Sequence, residues 1–190
     1  MRRFFIFMIP LCTLFFNCSQ GNYGNFLVSF NDYKSGVIFK GVDAEVNTET
    51  FYIPETVYGI PVVGIKRLEW NSKKIYAKTL VLPKSITSIG KYSFEADNYP
   101  SLKTIIIKGN IEDLDVDAFY TPNDSSYTIV FLSTTDPPKI SQNNYTTLYN
   151  SRNLKFYVPD ESVDKYKKAT VWSNLAAYIS PLSKYSGTLP

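Results

Sequence analysis

One apolar pattern recurs along the chain at a fixed shift, and that recurrence narrows the architectures open to it. Leu80-Val81-Leu82-Pro83 is a short apolar strand stopped by proline, and Ile86, Ile89 and the aromatic Phe94 follow it. Twenty-five residues further on, Ile105-Ile106-Ile107, Ile111, Leu114 and Phe119 occupy the equivalent places. A unit of this length has one apolar face and too little of its own chain to cover it. It becomes stable by laying that face against the next copy, which is the logic of a stacked repeat.

Further copies flank these two. Phe51-Tyr52-Ile53-Pro54 opens one that runs through Ile60, Gly64 and Ile65; Val130-Phe131-Leu132-Ser133 opens a degenerate one that runs into Asp136-Pro137-Pro138; Phe156-Tyr157-Val158-Pro159 opens the last. Taking Pro54, Pro83, Lys108, Ser133 and Pro159 as equivalent gives spacings of 29, 25, 25 and 26. Leucine-rich repeats span about 20–29 residues. Proline lacks an N–H and cannot continue a ladder, so it ends each strand at one level and turns the chain. Gly59, Gly64 and Gly90 fall where turns need backbone freedom. The expected fold is an α/β-type solenoid, mostly β: a short leucine-rich-repeat stack with a parallel sheet on one side and irregular or short helical segments on the other.

The ends complete the plan. Residues 26–50 alternate short apolar runs with turn signals and read as an N-terminal β cap. Residues 51–159 are the repeats. From Asp160, acids precede lysines over Asp160-Glu161-Ser162-Val163-Asp164-Lys165-Tyr166-Lys167-Lys168, with Val163 and Tyr166 on one face. That arrangement predicts a C-terminal helical cap over 160–182, its helix capped by Asp160. Residues 183–190 read as a loose tail.

Ahead of the domain, Met1-Arg2-Arg3 and the apolar Phe4 to Phe16 have the form of an export signal, residues 1–17. Thirteen apolar residues are fewer than the roughly 20 a bilayer span requires. Cys18 follows directly and resembles the acylated cysteine of a bacterial lipoprotein, with 18–25 as a polar tether; an ordinary cleaved signal is the alternative. Cys12 and Cys18 are the chain's 2 cysteines, so the expected mature domain has no internal disulfide. The chain has no histidine, which removes the usual acid–base group at pH 7 and most zinc sites. A net charge of +3 with no basic stripe argues against nucleic acid. No enzyme, cofactor or metal is expected. Asp113, Asp115 and Asp117, with Asp124, have the spacing of a calcium loop, but Ala118 stands where its turn needs glycine, and the acids read as a solvated turn.

The candidate site lies on the strands. Alternation places Phe51/Ile53, Leu80/Leu82, Ile105/Ile107, Val130/Leu132 and Phe156/Val158 inward. Tyr52, Val81, Ile106, Phe131 and Tyr157 then point outward as an apolar column beside Thr50, Thr79 and Thr104. An exposed row of this size is on the scale of an interaction surface.

Ile53-Pro54-Glu55-Thr56-Val57-Tyr58-Gly59-Ile60-Pro61-Val62, Leu82-Pro83-Lys84-Ser85-Ile86-Thr87-Ser88-Ile89-Gly90 and the terminal Tyr157-Val158-Pro159, Tyr166-Lys167 and Trp172-Ser173 resemble the BspA-like branch of leucine-rich-repeat proteins over roughly Phe26 to Leu182. The resemblance implies a secreted or cell-envelope protein of the adhesive or protein-binding kind. A protein partner is expected, with a glycan-binding surface or a structural envelope component as alternatives, and with membrane contact only through the lipid anchor.

Overall fold

The computed structural model describes residues 26–69, 71–115, 117–119, 126–140 and 154–190. Among these residues the chain is mostly β, with parallel sheets and few helices. Six strands form one fully parallel sheet in chain order: Thr50–Tyr52, Thr79–Leu82, Thr104–Ile107, Thr128–Phe131, Lys155–Val158 and Ile179–Pro181. A seven-stranded sheet takes the intervening stretches. Phe26–Phe30 pairs antiparallel with Val37–Val42, which is followed in parallel by Ile60–Ile65, Ser88–Ile89, Asp113–Leu114 and Lys139–Ile140. Thr56–Val57 folds back on Ile60–Ile65 as a hairpin. Val46–Asn47 and Ile75–Tyr76 make a small third sheet. Each pass of the chain therefore crosses one large sheet and then the other. The second side, expected to be irregular or helical, is built from short strands instead.

The 25-residue shift reads directly onto this pairing. Leu80 pairs with Ile105 and Val81 with Ile106, and the plugs Phe94 and Phe119 stack at 5.3 Å with rings 9° apart. Phe51, Leu80, Ile105, Ile129 and Phe156 form one buried column, each beside the next in register. Their burial supplies about 1.5–3 kcal/mol apiece. Polar side chains fix which pass lies on which. The ion pairs Lys40–Glu69, Glu49–Lys78, Arg67–Glu95, Lys91–Asp117 and Asp136–Lys165 each join residues one pass apart. The Glu55 carboxylate likewise accepts the backbone N–H groups of Lys84 at 2.9 Å and Ser85 at 3.1 Å. Partly exposed pairs are each worth about 1 kcal/mol or less, so they select register more than they add stability.

Glycine acts in two ways. Gly59 has φ +76 and closes the hairpin between Val57 and Ile60. Gly64, expected in a turn, lies within a strand, where an added Cβ would stand 2.6 Å from Ser88 Oγ and 2.8 Å from Ile38 Cδ1. It is needed for close approach of two passes rather than for φ.

At the C-terminal end a 3-10 turn, Asp160–Ser162, leads into the helix Val163–Lys168 and a second 3-10 segment, Trp172–Tyr178. The chain then returns to the six-stranded sheet as Ile179–Pro181, so the cap is part helix and part strand. Asp160 does not cap the helix: no side-chain cap bond is made there, and Asp160 accepts from Ser183 N–H instead. Phe131, Phe156 and Tyr166 each meet Trp172 edge-to-face in a buried cluster with centroids 4.9–6.2 Å apart. Its polar atoms are satisfied. Tyr166 Oη donates to Thr134 O and Trp172 Nε1 to Pro138 O, each at 3.0 Å.

Candidate functional site

The five-residue column comes together as a row, with one member replaced. Tyr52 pairs with Val81, Val81 with Ile106, Ile106 with Val130, and Val130 with Tyr157. Phe131 is not in it. That side chain lies in the main core against Tyr166 and Trp172, while Val130 takes its place outside and Ile129 takes the inward place expected of Val130. Leu132, expected inward, packs on the outer row. The fourth strand begins one residue earlier than a 25-residue step places it, so all its faces are exchanged.

The row is also covered. Val81, Ile106 and Val130 are 2%, 1% and 0% exposed and form a second apolar cluster on the far side of the sheet from the main core. Tyr52 and Tyr157 close its two ends. Leu182 and Tyr185 pack against it from the segment that follows the last strand, and the Tyr185 ring meets the Tyr157 ring edge-on at 5.1 Å. Of the tail expected to be loose, 183–190, Ser183 and Tyr185 are held in place. Ser183 N–H donates to Asp160 Oδ1 at 2.9 Å, and Tyr185 N–H donates to Leu182 O at 2.9 Å. The hydrogen bonds from Ser183 hold the Asp160 carboxyl below the usual carboxylate range. Beside the row, Thr50, Thr79, Thr104 and Thr128 pair in register as a half-buried threonine column.

Open aromatic surface lies elsewhere, at one end of the seven-stranded sheet, on residues the sequence reading did not single out. Phe30 is 53% exposed, Tyr33 90% and Tyr58 79%. Phe30 pairs with Val37 and Val37 with Val62, while the Thr56–Val57 hairpin folds onto Ile60 and Pro61. Both hairpin tips thus stand at the same end of adjacent strands. An added Cβ at Gly36 would meet Val63 Cγ1 at 2.5 Å, which marks how closely the tips are packed at their bases. The Tyr33 turn is ordered: Asn31 Oδ1 accepts from Ser35 N–H at 2.9 Å and Gly36 N–H at 3.3 Å. Tyr58 occupies the first central position of a two-residue hairpin at φ +54. Asn, Asp or Gly suits such a position, and a bulky side chain there is uncommon and strained. A Tyr-Gly pair between two strand-forming residues was the available sequence signal.

The acidic turn is engaged in folding contacts. Lys91 Nζ lies 2.9 Å from Asp117 Oδ2, and Asp117 N–H donates to Asp115 Oδ1 at 2.9 Å. Among the described residues no group of three or more candidate ligands is placed to hold a metal ion. Among them, too, no helix is long and apolar enough to cross a membrane. Cys18, the 1–17 signal, the 18–25 tether and Asp124 lie outside the described residues. In comparisons with known proteins, no family model matches the chain, and no curated protein matches its sequence.

Proposed function

We propose that the chain is a short leucine-rich-repeat solenoid similar to the BspA-like branch, exported and held at the cell envelope through an acylated Cys18, and that it is a protein-binding module. Its contact surface is the aromatic end formed by Phe30, Tyr33 and Tyr58. In-register parallel pairing of successive passes, tied by ion pairs one repeat apart, supports the repeat architecture.

The observation that carries the binding reading is Tyr58. A tyrosine at positive φ costs roughly 1–2 kcal/mol, and at 79% exposure it recovers little of that by packing within its own chain. Strained, solvent-facing residues cluster at recognition sites. Tyrosine is also a common anchor in protein interfaces, because it brings a large amphipathic surface with few torsions to freeze.

The test uses Tyr58→Asn. Asparagine suits the turn, so the variant should fold at least as well as the wild type. It should nevertheless lose most retention on immobilised matrix proteins, and Tyr33→Ser should do the same. Undiminished retention of both variants would overturn the aromatic end as the contact surface. The anchor is tested separately by intact mass: the mature chain should begin at Cys18 with added acyl mass, and Cys18→Ala should leave the membrane fraction.

A further inference from the structure

The outer face of the six-stranded sheet holds a second apolar cluster, apart from the main core. Val81, Ile106 and Val130 are sealed there, with Leu132 from the sheet and Leu182 and Tyr185 from the following segment packed against them. The seal is slight. Leu182 and Tyr185 are only half-buried, and Ser183, Lys184 and all of 186–190 are exposed. Besides these two side chains it is held by hydrogen bonds to the Asp160 carboxylate, Ser183 N–H to Oδ1 at 2.9 Å among them, and by a turn bond, Tyr185 N–H to Leu182 O. Segments with few apolar contacts and exposed backbone bonds open at a free energy well below that of global unfolding. When this one lifts, the Tyr157 end of the aliphatic row loses its cover, and the Asp160 carboxylate is free to take a backbone N–H at its edge.

We propose that this face is a docking site for a short peptide with an aliphatic and an aromatic residue three apart, and that Leu182–Tyr185 is its resident competitor. The chain's own segment defines the chemistry. Its aliphatic and aromatic side chains enter the row from one 3-10 turn, Leu182–Lys184, and the backbone N–H after the aliphatic residue meets Asp160. The tyrosine ring completes an edge-on pair with Tyr157. A partner peptide of that pattern would reproduce each contact, and the tethered segment would keep the face closed to weaker ligands. This site is separate from the aromatic end and stands or falls without it.

The test uses full-length protein and a labelled synthetic peptide of residues 181–190, Pro-Leu-Ser-Lys-Tyr-Ser-Gly-Thr-Leu-Pro. Binding is read by anisotropy and located by NMR shifts at Val81, Ile106 and Val130. The double variant Leu182→Ser/Tyr185→Ser should bind the peptide roughly tenfold or more tighter than the wild type, since a tethered competitor acts at a millimolar-scale effective concentration. A peptide with serine at its Leu and Tyr positions should not bind. Equal affinity for wild type and variant, shifts elsewhere, or no binding to a folded variant would each overturn the proposal. If the double variant does not fold, Tyr185→Ala replaces it with the same expectation. Failure of both to fold would make the segment a structural seal, which also overturns it.

Discussion

The two ends of this molecule use the same residue class in opposite ways. At the C-terminal end, Tyr166 and Trp172 are buried with Phe131 and Phe156, and the phenol and indole each donate to a backbone carbonyl. At the N-terminal end, Phe30, Tyr33 and Tyr58 stand in solvent on two ordered turns, each with a non-glycine residue at positive φ, Lys34 and Tyr58. Aromatics that close an open stack must bury area and satisfy their polar atoms, and the C-terminal set does both. The N-terminal set buries little area, so packing does not explain it. The core at that end is filled instead by Phe26, Phe39 and Phe51, whose rings meet at 6.2–6.4 Å.

If the contrast is sound, substitutions at the two ends should separate stability from binding. Of the two ends, Trp172→Ala should have the larger effect, about 3–5 kcal/mol in chemical denaturation, a large part of a small domain's stability. Tyr33→Ala should change stability by no more than about 0.5 kcal/mol; a similar loss for both would erase the distinction. The second effect is alkaline. Burial pushes the Tyr127 phenol up to about 12 and raises those of Tyr99 and Tyr166 as well. A folded pKa above the unfolded value of about 10 contributes stability that is complete below that value. It is lost as the pH rises towards 12, by about 2–3 kcal/mol for Tyr127 alone. A pH titration followed by circular dichroism should therefore show unfolding begin above pH 10, and a flat profile to pH 12 would contradict the buried placement.

The third effect tests the cover. Ile106→Asp should cost about 1–3 kcal/mol, limited by lifting Leu182 and Tyr185 so that the carboxylate reaches water. Ile107→Asp has no such escape, being sealed between the sheets, and should not fold. Equal damage in denaturation curves would mean that the Leu182–Tyr185 segment does not open. The last effect is a gain: Tyr58→Asn should stabilise by about 1 kcal/mol or less on relief of the strained turn, measured in the same curves.

Much of this was legible from residues 50–119. There three apolar residues stand between a threonine and a proline or lysine (Thr50 and Pro54, Thr79 and Pro83, Thr104 and Lys108), so strand bounds and facing read correctly for Phe51, Leu80 and Ile105. The fourth strand misled because Ile129-Val130-Phe131-Leu132 is apolar at every place, and a continuous apolar run has no period to fix which side faces in. Thr128 was the better guide, since it continues the column of Thr50, Thr79 and Thr104. The cover on the outer row was not readable: Leu182 and Tyr185 lie in a short polar segment with no periodicity, and their placement depends on Asp160, 23 residues away from Ser183. The exposure of the column was inferred from alternation, which states the side of a sheet and not what lies over it.

The last strand, Ile179–Pro181, has a consequence for how copies of this protein behave at high concentration. A parallel sheet that grows one pass at a time presents bare strands at both limits, and two molecules could in principle continue each other's sheet head to tail into a filament. Pro181 pairs with Val158 on its inner side and has no N–H. One of three residues at that limit therefore lacks a donor, and the exposed Lys184 close by adds charge repulsion between approaching copies. Because head-to-tail growth needs both limits, impairing one is enough to disfavour it, and the proline that ends the sheet within a molecule also hinders its continuation into the next.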